Sequence, residues 1–474
     1  MVNLFDFENS YSILPDRMFS QVNPEPAPSP SLLGFNAPLA ADLGYRGTLS
    51  NDDLASVISG KVIPDGASPI AQAYAGHQFG NFVPSLGDGR AVLLGDVSDP
   101  QGKHWDIQLK GSGRTPFSRG GDGKAWLGPV LREYVVSEAM HHLGIPTTRA
   151  LGAALTGETI VRAEGGVPGG VIARVADSHI RVGTFQYFAA RRDIEALKAL
   201  FDYALSRHYP QCSTPLEFLQ AVIARQSKLV AKWLGVGFIH GVMNTDNTAI
   251  SGETIDYGPC AFMDTYHPAT VFSSIDRHGR YAYLNQPDII VWNIAQLASS
   301  LLFLEEDQDV AIDTYTNAVH KMPDFLAAER LAVFGAKLGI ANPTESDGML
   351  VEQLLQFMMN AQADFTNAFR ALSTQRRPDF LGDFDDGEPW YAAWQSRLYS
   401  EMDPETLMLA SNPQYIPRNH KVEEMIQAGL VGDLSKFARM NAVLANPYQH
   451  QDGAEEFALP PTPEEEIEAT FCGT

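Results

Sequence analysis

The 474-residue chain holds only three cysteines, Cys212, Cys260 and Cys472. Their number and spacing fit neither a disulfide framework nor a zinc site. Basic residues are also scarce: 34 Lys and Arg stand against 57 Asp and Glu, for a net charge of −23. Phosphate backbones are repelled by so acidic a molecule, which argues against nucleic acid as a partner. No apolar run is expected to reach the length of a membrane span, and the N-terminus carries Asp6 and Glu8 where a secretory signal would be basic. The expectation is a cytoplasmic protein with no membrane partner. No internal repeat is found. The length allows two or three domains, and 45% hydrophobic with 19% charged residues is the balance of an ordinary globular chain.

What is present is concentrated in residues 237–264, GFIHGVMNTDNTAISGETIDYGPCAFMD. Two apolar segments flank Ser251-Gly252, so the spacing predicts a hairpin that sets Asn247 opposite Asp256. Side chains so paired start from Cβ atoms about 5 Å apart and suit one hard cation such as Mg²⁺. A catalytic-loop Asn followed by the Asp of a D-F-G-type motif, here Asp256-Tyr257-Gly258, is the metal end of a kinase-like phosphate site. The kinase base lies five residues before that Asn. Here that position is Val242, which cannot accept a proton. Either catalysis is lost, or the neighbouring Asp246 replaces the missing base.

Upstream, Gly87 and Gly89 precede Arg90 and a strand-like AVLL. The stretch His104 to Lys110 alternates, with Trp105, Ile107 and Leu109 on one side and Asp106, Gln108 and Lys110 on the other. A Gly- and Arg-rich loop follows, with Arg114, Arg119 and Lys124 as cations for a phosphate. Helical periodicity from Trp126 to Leu143 leaves Glu133 off the apolar stripe, free to meet Lys110 as in kinases. Arg174 and Arg181 could share a helix face and clamp a terminal phosphate. Residues 218–234, 288–304, 309–331 (broken near Pro323), 349–372 and 389–397 read as helices. Pro24 to Pro30 reads as an extended linker, and the acidic, proline-rich segment from Pro460 onward as a mobile tail.

The strings YAGHQFG (74–80), LGDGR (86–90), LKGSG (109–113), SEAMHHLGIPTTRAL (137–151), HGVMNTDN (240–247) and IDYGP (255–259) together resemble the selenoprotein O family, the SelO or YdiU proteins. The resemblance implies an α+β, protein kinase-like two-lobed fold. Its β-rich N-lobe (70–185) and mostly helical C-lobe (186–395) lie between N-terminal (1–69) and C-terminal (396–474) extensions. It also implies a pseudokinase that binds ATP inverted and transfers AMP, not phosphate, to Ser, Thr or Tyr hydroxyls of proteins. Carried over, it makes Asp246 the proton acceptor and gives Mg²⁺, or Mn²⁺ in its place, to Asn247 and Asp256. ATP falls to Gly87, Gly89, Arg90, Lys110, Glu133, Asp122, Gly123, Arg174, Arg181 and Asp256. The alternatives are a phosphotransferase and a non-catalytic ATP-binding scaffold. Members with a regulatory disulfide pair the C-terminal cysteine with one where this chain has Phe272, and the terminal CGT contains no selenocysteine.

Overall fold

The structure, a computed structural model, describes residues 2–162, 165–374 and 376–471. The predicted strand His104–Lys110 forms over the expected residues and lies inside an eight-stranded sheet. The order across the sheet is Phe19–Gln21, Ile70–Gln72, Ala91–Ser98, His104–Lys110, Gly165–Ala176, Arg149–Arg162 and Ser31–Phe35, with Ala125–Trp126 paired separately to Gly165–Ala176. All the pairings are antiparallel. The polar side of His104–Lys110 is not left to solvent. Asp106, Gln108 and Lys110 are all buried, and each meets a charged partner: Arg207 at 2.6 Å, Arg174 at 2.7 Å and Glu133 at 2.7 Å respectively.

The helix Leu127–His142 carries Glu133, and 12 of its 16 residues are buried, more than one face against a sheet can account for. Ala150, Ala153 and Ile172 of the sheet belong to the same apolar cluster as Leu127, Leu131 and Val135. So do Val422, Met425 and Ile426 of the helix Asn419–Leu430, and Phe437 and Met440 of Ser435–Leu444. The C-terminal region thus braces the Glu133 helix.

The second half of the chain is mostly helical, as its periodicity predicts. The 309–331 pattern divides into Gln308–His320 and Met322–Lys337, with Pro323 in the first turn of the second helix, where its missing N–H is no loss. The 349–372 pattern likewise divides into Glu345–Asn360 and Phe365–Ser373. One expectation needs correction. The 22-residue stretch Tyr283–Leu304 is, by length and a mean hydropathy of 1.4, apolar enough to cross a membrane. Ile290, Ile294, Leu297 and Leu301 of this stretch are instead packed in the largest core cluster. Buried Asn293 donates to Met243 O and Thr248 Oγ1, both at 2.9 Å, which ties the helix to the segment predicted to be catalytic.

Lys337 is 2% exposed, with its ammonium 4.3 Å from the Phe369 ring centre. Burial lowers its pKa from 10.5 to about 7. Between those values the unfolded chain binds the proton and the folded one does not, so stability rises with pH across that window. Lys337→Met is therefore expected to stabilise the protein at pH 7 by on the order of 2–4 kcal/mol. The gain should fade as pH approaches 10.5, as read by urea unfolding at a series of pH values. An equal gain at pH 7 and pH 10 would refute this account.

Nor does the acidic tail hang free over its described part. Thr470 is buried; its N–H donates to Phe272 O at 2.7 Å, its O accepts from Ser274 N at 3.0 Å, and its hydroxyl donates to Pro259 O at 2.6 Å. Cys472 lies outside the described residues. Cys260 is buried, and burial raises its thiol to about 12, which makes it an inert core residue.

Candidate active site

The predicted hairpin around Ser251-Gly252 does not form. Its turn exists, with Gly252 N donating to Ala249 O at 3.2 Å, but the flanks pair elsewhere: Ala249 bridges to Arg181 and Thr254 to Thr147. The segment is stitched into two distant parts of the chain, and Asn247 and Asp256 are not facing residues of one ladder.

Asp256 nevertheless becomes the centre of a charge cluster. Lys110 Nζ donates to Glu133 Oε2 at 2.7 Å and to Asp256 Oδ1 at 2.6 Å. Arg174 Nη1 donates to Glu133 Oε1 at 3.1 Å and to the same Asp256 Oδ1 at 2.7 Å. Two cations and two carboxylates therefore close a ring, and Gln108 Oε1 fixes the far side of the Arg174 guanidinium at 2.7 and 2.9 Å. Arg181 Nη2 lies 4.0 Å from Asp256 Oδ2. Burial opposes ionisation of Asp256, but Lys110, Arg174 and Arg181 override it and hold the carboxyl well below its usual range. The two arginines do not share a helix. Arg174 is on the strand Gly165–Ala176 and Arg181 directly precedes the helix Val182–Ala190, so they converge through tertiary structure.

Asp246 sits in the short 3₁₀ turn Thr245–Asn247 and is 8% exposed. Burial raises its carboxyl to about 6, against a hydrogen bond from Gln78 Nε2 to Oδ2 at 3.1 Å. Its Oδ1 is buried and accepts no hydrogen bond. A two-stranded hairpin, Gly76–Gln78 with Asn81–Val83, covers the loop. His77 N donates to Thr245 Oγ1 at 2.7 Å, and Phe79 N to Asn244 Oδ1 at 3.1 Å. The approach depends on missing side chains: a Cβ on Gly76 would stand 2.6 Å from Asp246 Oδ1, and one on Gly183 2.1 Å from Ala75 O. Val242, where the kinase base would be, is buried, and its carbonyl accepts from Asn247 Nδ2 at 2.9 Å. That bond leaves the Asn247 amide oxygen for another partner. His240 Nε2 is 2.9 Å from Ile255 O, which links the loop to the Asp256 segment.

Of the remaining sequence-predicted residues, Gly87, Gly89 and Arg90 form the turn before Ala91–Ser98. A Cβ on Gly87, whose φ is +69°, would strike the Phe117 ring at 2.2 Å, so this glycine admits the neighbouring loop. Asp122 and Gly123 stand outside the charge ring: Asp122 pairs with Arg162 at 2.8 Å, and Gly123 O accepts from Gly113 N at 3.1 Å. Lys124 pairs with Glu158 at 2.5 Å instead of being free for a phosphate. The sequence reading missed Asp88, which is buried with Oδ1 unpartnered and Arg181 3.7 Å away. It also gave no role to Gln78 and Gln108. Alternation did place Gln108 on the side of Lys110, and Gln78 falls within the YAGHQFG string.

An oxygen donor without a protein partner suits a hard divalent ion: buried Asp246 Oδ1 is one, next in sequence to Asn247, whereas Asp256 Oδ1 already accepts from Lys110 and Arg174. A carboxylate–histidine group among the described residues, Glu8, Asp96 and His104, lies near the opposite end of the Lys110 strand, about 20 Å along it. There Arg207 is 3.2 Å from Asp96 and supplies the positive charge.

Comparison with known proteins gives the class. The chain is 56% identical over 469 residues to a Ruegeria pomeroyi protein named protein nucleotidyltransferase YdiU, covering 99% of both chains. It is 55% identical over 468 residues to the protein of that name from Roseobacter denitrificans, again covering 99% of each. The protein is a nucleotidyltransferase. Residues 2–445 match the family described as protein adenylyltransferase SelO, and the chain belongs to that family.

Proposed function

We propose that the protein transfers AMP from ATP to Ser, Thr or Tyr hydroxyls of other proteins, in the cytoplasm, on a kinase-like two-lobed fold. Residues 70–185 form the N-lobe and 186–395 the C-lobe, between extensions 1–69 and 396–474. The observation that carries this reading is the exchange of roles in one loop. Val242 occupies the usual base position, while Asp246, four residues on, has a buried, unpartnered carboxylate oxygen and a carboxyl held near neutrality. A base with a pKa close to ambient pH is effective at accepting a proton.

In this reaction the substrate oxygen bonds to the α-phosphorus as its proton passes to Asp246, and the bond from that phosphorus to the β-bridging oxygen breaks to release pyrophosphate. Lys110, fixed by Glu133, together with Arg174 and Arg181, binds the phosphates and balances their charge. Gly87, Gly89, Arg90, Asp122 and Gly123 complete the nucleotide cradle. A divalent cation, Mg²⁺ or Mn²⁺, would be held by Asn247 and Asp256 and would supply further positive charge to the phosphate oxygens. The test is incubation with ATP labelled in turn at the α- and γ-phosphorus. Only the α-label is expected on protein. The γ-label would mean a kinase, and neither label with ATP still bound would mean a scaffold.

A further inference from the structure

Beside the covered Asp246 loop, a cavity of about 680 Å³ opens to solvent between Phe79 at the tip of the covering hairpin and the segment that follows the Asp256 motif. Its lining includes Ile275, Arg277, His278, Arg280 and Asp288. Arg277 and His278 are exposed, and neither Arg277 nor Arg280 forms an ion pair among the described residues. Arg280 Nε is buried with no hydrogen-bond acceptor, and its guanidinium lies 5.0 Å from the Trp292 ring centre. Asp276 is held by its own loop, its oxygens accepting from Arg280 N at 2.9 Å and Tyr281 N at 2.7 Å.

The groove is wired to the candidate base. Tyr281 OH donates to Asn244 Oδ1 at 2.6 Å, and Phe79 N donates to the same oxygen, two residues from Asp246. Phe79 is therefore shared by the groove and the loop, and Tyr281 directly follows Arg280 of the lining. In a chain with net charge −23, most of the surface repels an acidic segment, whereas the guanidiniums of Arg277 and Arg280 attract one, against the carboxylates of Asp276 and Asp288 in the same lining. We propose that this groove docks the protein substrate, as an extended segment whose accepting hydroxyl is flanked by Asp or Glu. Arg277 and Arg280 would receive the carboxylates, and Ile275 an apolar neighbour. The proposal rests on the AMP-transfer reading for what happens to the hydroxyl, but not for the docking itself.

The probe is a fluorescein-labelled peptide with one serine flanked by glutamates, followed by fluorescence anisotropy on the full-length protein. The double variant Arg277→Glu/Arg280→Glu is expected to weaken binding at least about fivefold and to favour a lysine-flanked peptide. A smaller change, equal binding of glutamate- and glutamine-flanked peptides, or equally effective competition by an oligonucleotide would overturn the proposal. If the double variant does not fold, the exposed single change Arg277→Glu and the loss of wild-type binding with added salt decide it by the same criteria. Transfer of α-label to the same peptide is scored separately. Its absence, with selective binding intact, would count against the AMP-transfer reading and leave the groove standing.

Discussion

Asp256→Asn is expected to lower transfer of the α-label by at least about 10³-fold. Asparagine is the right replacement because Asp256 has a φ of +64°, a left-handed conformation that asparagine tolerates and alanine resists. The substitution keeps shape and backbone but removes the charge that Lys110 and Arg174 share at 2.6 and 2.7 Å. Those two cations would then have Glu133 alone between them, and the proposed ion site would lose its only fully ionised ligand. Single-turnover transfer measured at saturating MgATP reads the effect. A loss smaller than tenfold would remove Asp256 from the mechanism, together with the cation assigned to it.

The second large effect is expected at Asp246. Asp246→Asn should reduce transfer by roughly 10²–10⁴-fold, the usual range for removal of a general base, while the affinity for MgATP changes by less than about threefold. The two readouts separate roles: a proton acceptor acts on the bond-forming step, whereas a nucleotide ligand would lower affinity too. Gln78 and the unsubstituted Gly76 hold the carboxylate in place, and an amide of the same size fits that space. A collapse of affinity in parallel with rate would reassign Asp246 to ligand binding.

Much of the secondary structure was legible because burial imposes its period on sequence. The strand His104–Lys110 and the helix holding Glu133 followed from alternation and helical spacing, and with them the Lys110–Glu133 pair. The supposed hairpin shows where that logic ends. Ser251-Gly252 does make a turn, but local spacing cannot reveal that Arg181 and Thr147 lie close enough to take the hydrogen bonds the two arms would have exchanged. For the same reason the spacing of Arg174 and Arg181, which would let them share a helix face, could not show that they arrive at Asp256 from a strand and a helix entrance. Composition misjudged the tail, since proline and acidic residues describe the cost of ordering a segment and not the buried site that receives Thr470. Asp88 was hidden as a common turn residue until folding brought Arg181 beside it.

The helix bearing Glu133 is gripped from behind as well as in front. Tyr134 meets the Phe437 ring edge-on with centres 5.1 Å apart, and Gly429 leaves room for Leu131. A lever wedged on both sides makes a poor switch: swinging this one outward would tear open an apolar cluster shared with the last third of the chain. Deleting the C-terminal helices should therefore release the helix that carries Glu133 and with it the Lys110–Glu133 pair.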